Sequence, residues 1–256
     1  DFLLTLADTN LVLSQRLCEW CGKGPAIEED MAITNTALDL LGQSRMGYSY
    51  AGELEGKGRD EDALAYLRDA PDFRNYALVE LPNAYGGSAA NVRRDYAYTL
   101  MRQFLFDAWH YLRLESLRAS GDPRIQEIAE KGFKEVAYHV RRSSDLVVRL
   151  GDGTPESQNR LQTALGQLWP FTGELFAVNA VDVWAADTGL AASPADLRQP
   201  WLKFVQDILS EATLTMPDAN AWMQKGVHAG GAHTEHLGYL LAEMQHLQRA
   251  YPGAQW

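Results

Sequence analysis

Residues 91–118 read NVRRDYAYTLMRQFLFDAWHYLRLESLR. Positions three and four apart share one face of an α-helix. The face through Asp107 therefore collects Tyr96, Leu100, Gln103, Asp107, His110, Leu114 and Leu117. Three polar side chains sit in the middle of an aromatic and aliphatic stripe. A second stripe, Ile125, Ile128, Gly132, Val136, His139, Ser143 and Val147, carries His139 in the same way. A buried carboxylate or imidazole is costly without a partner, so these groups are expected to meet one another, a metal or ordered water.

Outward from this stretch the pattern is helical nearly throughout. A first helix is predicted over about Phe2–Cys21, with Leu3, Leu6, Asn10, Leu13, Leu17 and Trp20 on one side; Gly22, Gly24 and Pro25 end it. A second is predicted over about Ile27–Leu54, with Ile27, Met31, Thr34, Leu38, Leu41, Arg45 and Tyr48 as its inward stripe and Asn35, Asp39, Gly42 and Met46 beside it. A short helix around Glu61–Arg68 leads into a connection rich in turn residues (Ala70-Pro71-Asp72, Leu81-Pro82-Asn83, Tyr85-Gly86-Gly87-Ser88). It is too long for an ordinary loop and reads as a crossover with some helix inside it. The third long helix covers about Asn91–Arg118. The fourth starts at an Asp122 N-cap with Pro123 at its first position and runs to Leu150. Further helices are expected over about Glu156–Thr188, Ala195–Thr213 and Thr234–Ala250. No period-two alternation argues for a sheet. Four long helices in two antiparallel pairs joined by one long crossover make an all-α, ferritin-like four-helix bundle with additional packed helices. No linker divides the chain, so residues 1–256 are expected to form a single domain.

Composition narrows the function classes. The net charge is -11, and the basic pairs Arg93-Arg94 and Arg141-Arg142 read as solvated helix faces, which disfavours nucleic acid. No apolar run is long enough to span a bilayer and no secretory leader is read, so a cytoplasmic protein without membrane contact is expected. Cys18-x-x-Cys21 lacks the second pair of a zinc ribbon and the βαβ setting of a redox motif. It reads as two small apolar helix residues in a reducing cytosol.

A di-iron carboxylate centre in such a bundle needs about four carboxylates and two histidines, with Glu-x-x-His on one helix of each pair. Anionic oxygens are required because two iron ions bring several positive charges into a dry interior. The first helix offers Gln15 and Glu19. The second offers Asp39, but Gly42 stands where a histidine should. The third offers Asp107, and the fourth His139, but Val136 stands where an acid should. Asp107-Ala108-Trp109-His110 is an Asp-x-x-His and the best argument for a metal, yet it falls on a helix that should give one acid only. Glu135 is a further candidate contributor. The expected outcome is a relict site (Asp39, Gly42, Asp107, Val136, His139, with His110 and Glu135 as contributors) that neutralises itself through ion pairs and hydrogen bonds. Near the C-terminus, Thr234 reads as an N-cap and Glu235 as a first-turn acid. His233, Glu235 and His236 are candidates for a partner-facing or substrate-facing role.

These residues carry a family resemblance. Asn10–Gly22, Ala37-Leu38-Asp39-Leu40-Leu41-Gly42-Gln43-Ser44-Arg45, Phe106–His110, Lys134–His139 and His233-Thr234-Glu235-His236-Leu237-Gly238 together resemble the PaaC family, the structural subunits of the bacterial phenylacetyl-CoA 1,2-epoxidase. The likeness covers almost the whole chain. It implies a ferritin-like fold and a non-catalytic chain without catalytic residues, metal or cofactor of its own. It also implies a homologous catalytic subunit that holds the di-iron centre, a reductase with FAD and iron–sulfur centres fed by NADPH, and small accessory subunits. The aromatic load, seven Trp and eleven Tyr, suits either a core or an interface, and self-association is a further expectation. Two rivals remain at this level. One is an independent di-iron oxygenase using Asp39, Asp107, His110, Glu135 and His139. The other is a module that carries the CoA thioester, which would need converging Lys or Arg residues.

Overall fold

The computed structural model describes residues 1–84, 94–219 and 221–254. The expected start of the third helix at Asn91, the Tyr85–Ser88 turn, Arg93 and the last two residues of the tail lie outside them. Among the described residues the regular structure is all helix. It divides into two compact units, residues 1–81 with 226–256, and residues 82–225.

The first unit is built on α1 (Phe2–Cys18) and α2 (Ile27–Glu55). Ser14 Oγ donates to the Ala37 carbonyl (2.7 Å), and Ser44 Oγ to that of Ala7 (2.9 Å). Partner numbers fall along α2 as they rise along α1, so the pair is antiparallel. The helices approach closely where Gly47 meets Ala7: a Cβ on Gly47 would lie 3.0 Å from the Ala7 methyl. Asp30 accepts from the amides of Gly22 (3.1 Å) and Gly24 (2.7 Å), which closes the connection and lowers its carboxyl pKa. Gly56, in the left-handed region at φ 66°, ends α2.

The inward face of α2 differs from the sequence reading. Ile27, Met31, Leu38 and Leu41 are exposed, at 72%, 61%, 59% and 39%. The buried face of α2 is Ile33, Thr36, Ala37, Leu40, Gln43, Ser44, Gly47 and Tyr48. Small residues and hydroxyls won because they let the two backbones come near enough for side chain-to-carbonyl hydrogen bonds, which a count of apolar positions does not register. On α1 the buried positions run almost round the helix and include Asp8, while Leu3 and Leu6 are only half-buried. Cys18 and Cys21 are exposed free thiols; Cys18 is the last residue of α1, as a helix residue was expected there, and Cys21 lies beyond its end.

α3 (Glu61–Tyr66) and α4 (Ala77–Glu80) occupy part of the long connection, as expected of a crossover with helix inside it. Asp8, fully buried, is ion-paired to Arg68 and accepts from the Tyr48 hydroxyl (2.5 Å) and the Arg74 amide (2.8 Å). The C-terminal helices, α10 (Glu235–Met244) and α11 (His246–Ala250), belong to this unit. They replace the single helix expected over Thr234–Ala250. At the break, Gln245 donates to the carbonyls of Ala65 and Arg68 (3.0 Å each).

The second unit centres on α5 (Tyr96–Leu117) and α6 (Pro123–Gly151). Asp122 caps α6 through the amides of Arg124 and Ile125, with Pro123 in the first turn, as the sequence indicates. Residues 97–110 of α5 are all buried. The two helices run antiparallel: Asp107 is bonded to Ser143, Tyr111 stacks near Phe133 (4.8 Å between centroids), and Arg118 pairs with Glu130 (2.5 Å). α7 (Pro155–Leu168) starts in a Thr154/Ser157 capping box. The continuous helix expected to Thr188 breaks at Trp169-Pro170-Phe171. There a ring without an N–H, followed by Gly173, gives two 3₁₀ turns before α8 (Ala180–Asp187). α9 (Arg198–Glu211) completes the unit. Trp109 and Trp201 are buried whole and donate their indole N–H to the carbonyls of Leu175 (3.1 Å) and Leu105 (3.0 Å).

Candidate functional site

The polar core of the second unit lies between α5 and α6. Asp107 is 1% exposed. Its two oxygens accept from Gln103 Nε2 (2.6 Å), one turn back on α5, and from Ser143 Oγ (2.8 Å) on α6. Gln103 is one of the three polar residues that stand out in the Asp107 stripe, whereas Ser143, on the His139 stripe, carries no mark of its own in the sequence. Burial raises the Asp107 carboxyl to about 6, opposed by the attraction of His139 and by these two hydrogen bonds.

His110 is also buried, but its surroundings are aromatic. The rings of Phe106 and Trp109 lie 5.0 and 6.1 Å from it, and its Nδ1 has no hydrogen-bond partner among the described residues. Burial, and then repulsion from His139, lower its pKa to about 3, so it packs as a neutral ring. His139 is buried, Val136 is fully enclosed one turn before it, and Glu135 is half-buried.

Of the remaining candidates, the first unit holds Asp39, half-buried, and Gly42, exposed with open space where a Cβ would be. Gln15 and Glu19 are half-buried, and Glu19 pairs with Arg16 (2.8 Å). Among the described residues no three His, Cys, Asp or Glu side chains converge to hold a metal ion. Between α5 and α6 the Asp107 carboxylate is engaged by two neutral donors and attracted by His139. That donor set does not suit a dinuclear iron centre, which needs about four carboxylates to offset its charge.

A second polar cluster ties the C-terminal segment into the first unit. Glu80 is completely buried. It accepts from the Thr234 amide (2.6 Å) and Asn75 Nδ2 (2.8 Å), and pairs with His233 Nδ1 (2.5 Å). The other nitrogen of His233 meets the Phe73 carbonyl (3.1 Å). Arg16 spans the carbonyls of Glu80 and His236. His233 therefore faces inward to its own chain, Glu235 is exposed and His236 is half-buried. Burial and the nearby Arg16 charge lower the His236 pKa. Glu80 had no signal in the sequence, because it sits on a four-residue helix inside the crossover.

Helix hairpins with a buried carboxylate and histidines between paired helices define the class: an all-α helix-bundle protein with a polar interior. Its whole length, residues 1–256, matches the family described as phenylacetic acid catabolic protein. It is 46% identical over 255 residues to one of the subunits, the one lettered C, of the 1,2-phenylacetyl-CoA epoxidase of Escherichia coli (strain K12), covering 100% of this chain and 98% of that one. The chain belongs to the phenylacetic acid catabolic protein family.

Proposed function

We propose that this chain is the structural, non-catalytic subunit of a multicomponent phenylacetyl-CoA epoxidase, and that it supports a homologous catalytic subunit carrying the di-iron centre. On this reading residues 1–256 act as one ferritin-like domain in the cytoplasm. Electrons reach the partner's irons from NADPH through a reductase with FAD and iron–sulfur centres. No helix among the described residues is long and apolar enough to cross a membrane, which is compatible with that setting.

The observation that carries the reading is the depleted donor set. Val136 is enclosed one turn before His139, Gly42 stands three residues after Asp39, and the Asp107 oxygens are taken by Gln103 and Ser143. A second observation supports a docking role. Ile27, Met31, Leu38 and Leu41 recur along α2 at spacings of four, seven and three, as one exposed apolar strip. Stable subunit interfaces are apolar in this way and bury about 2,000–5,000 Å².

Co-expression with the catalytic homologue, purification through a tag on this chain, and an assay for oxygenated thioester tests the proposal. The expected result is a stable complex that turns over, while this chain alone does not. Oxygen-dependent turnover by the chain alone would favour the independent oxygenase instead.

A further inference from the structure

The second unit contains a cavity of about 440 Å³ where α5, α6 and α9 diverge. That volume lies within the usual range of small-molecule sites, about 300–1,000 Å³. Ala108 on α5 and Ala137 on α6 leave the hollow, and Tyr111, Phe204 and Ile208 wall it with aromatic and aliphatic surface. Its polar groups come from a single helix face. Arg141 and Ser144, three residues apart on α6, both line it.

Each of these two groups lacks something a ligand would supply. Ser144 is 7% exposed, and its Oγ has no hydrogen-bond partner among the described residues. Such a group costs free energy unless it is bonded. The Arg141 guanidinium lies 5.7 Å from the centroid of the Tyr138 ring, and no carboxylate among the described residues pairs with it. In a chain of net charge -11, an unpaired arginine at the mouth of an apolar cavity is a local attraction for an anion.

We propose that this cavity binds a small hydrophobic monocarboxylate. The alkyl or aryl body would lie between Tyr111, Phe204 and Ile208, and the carboxylate would accept from the Arg141 guanidinium and, once a χ1 rotation brings its enclosed Oγ to the cavity wall, from the Ser144 hydroxyl. A planar carboxylate matches the guanidinium fork. One guanidinium and one hydroxyl suit a single negative charge, and the overall negative field disfavours a polyphosphate. Asp107, Gln103, His139 and Ser143 are not among the residues that line it.

Calorimetric titration of the full chain with octanoate and with 4-phenylbutyrate, against octanamide as the neutral control, tests it. The expected result is saturable binding of at least one acid, with octanamide at least about tenfold weaker. Arg141→Gln, an exposed position, should weaken the acid at least about tenfold while octanamide is unaffected. Ala137→Phe, which fills the hollow, should abolish binding of both acids while the helical circular dichroism is retained. Which acid binds tighter distinguishes an aliphatic from an aromatic ligand. No saturation of either acid at millimolar concentration overturns the site. Equal binding of acid and amide, or an unchanged affinity in Arg141→Gln, overturns the assignment of the head group. Should Ala137→Phe fail to fold, the amide control and Arg141→Gln still decide.

Discussion

Asp107 and His110, three residues apart on α5, respond to acid in opposite directions. Burial raises the folded carboxyl from 3.8 to about 6, so the folded state takes up that proton first, and the group favours folding as pH falls from about 6 towards 3.8. Burial lowers the folded imidazole from 6.5 to about 3, so the unfolded state takes up that proton first, and stability is lost as pH falls through the same range. The two contributions offset each other between about pH 4 and pH 6. Asp107→Asn should therefore lose stability on acidification across that window more steeply than the parent, by at most about 1.4 kcal/mol per pH unit. His110→Phe should lose less than the parent. Urea midpoints measured from pH 6.5 downward check this, and parallel curves for all three proteins would contradict it. At neutral pH, Asp107→Ala leaves the Gln103 and Ser143 donors without their acceptor and is expected to cost about 1–3 kcal/mol by chemical denaturation. The position of Asp107 and His139 was legible because a polar residue inside an apolar stripe is conspicuous. Asp8 was not, because α1 is buried almost all round, and a single apolar face does not mark the polar residue on its other side.

Among the elements, α2 shows best what a periodic pattern can and cannot convey. Its helical state and length are plain in the sequence, and the structure ends it at Glu55, against an expected Leu54. Its orientation is not, because Gly47, Ser44 and Ala37 pack against α1 through closeness and hydrogen bonds while larger side chains face away. Gly47→Leu should force the hairpin apart at Ala7 and cost about 1–3 kcal/mol by denaturant unfolding; a change within error would contradict the close approach. The break at Pro170 could be read from the proline alone, but the helical pattern on both sides hid it. Glu80 holds the start of α10 through the Thr234 amide and His233. Glu80→Ala should speed hydrogen exchange at residues 233–237 more than in α5, since the lost bonds are local to that segment. Uniform acceleration throughout the chain would show that the cluster supports the whole fold instead.

For the whole molecule, the all-helical class was legible, because helix periodicity needs no contacts. The direction of the apolar strip on α2 required the structure, and it carries the interaction prediction. Met31→Asp and Leu38→Asp replace exposed apolar side chains, so each should change the stability of the isolated chain by no more than about 0.5 kcal/mol. Together they should abolish co-purification with the catalytic homologue; retention of the complex would place the interface elsewhere. The central claim concerns the metal. Aerobic and anaerobic loading of the purified chain with ferrous iron, followed by desalting and elemental analysis, tests it most directly. The expected result is iron well below one per chain, with the catalytic homologue treated in parallel retaining its pair. Two tightly held irons per chain would contradict it.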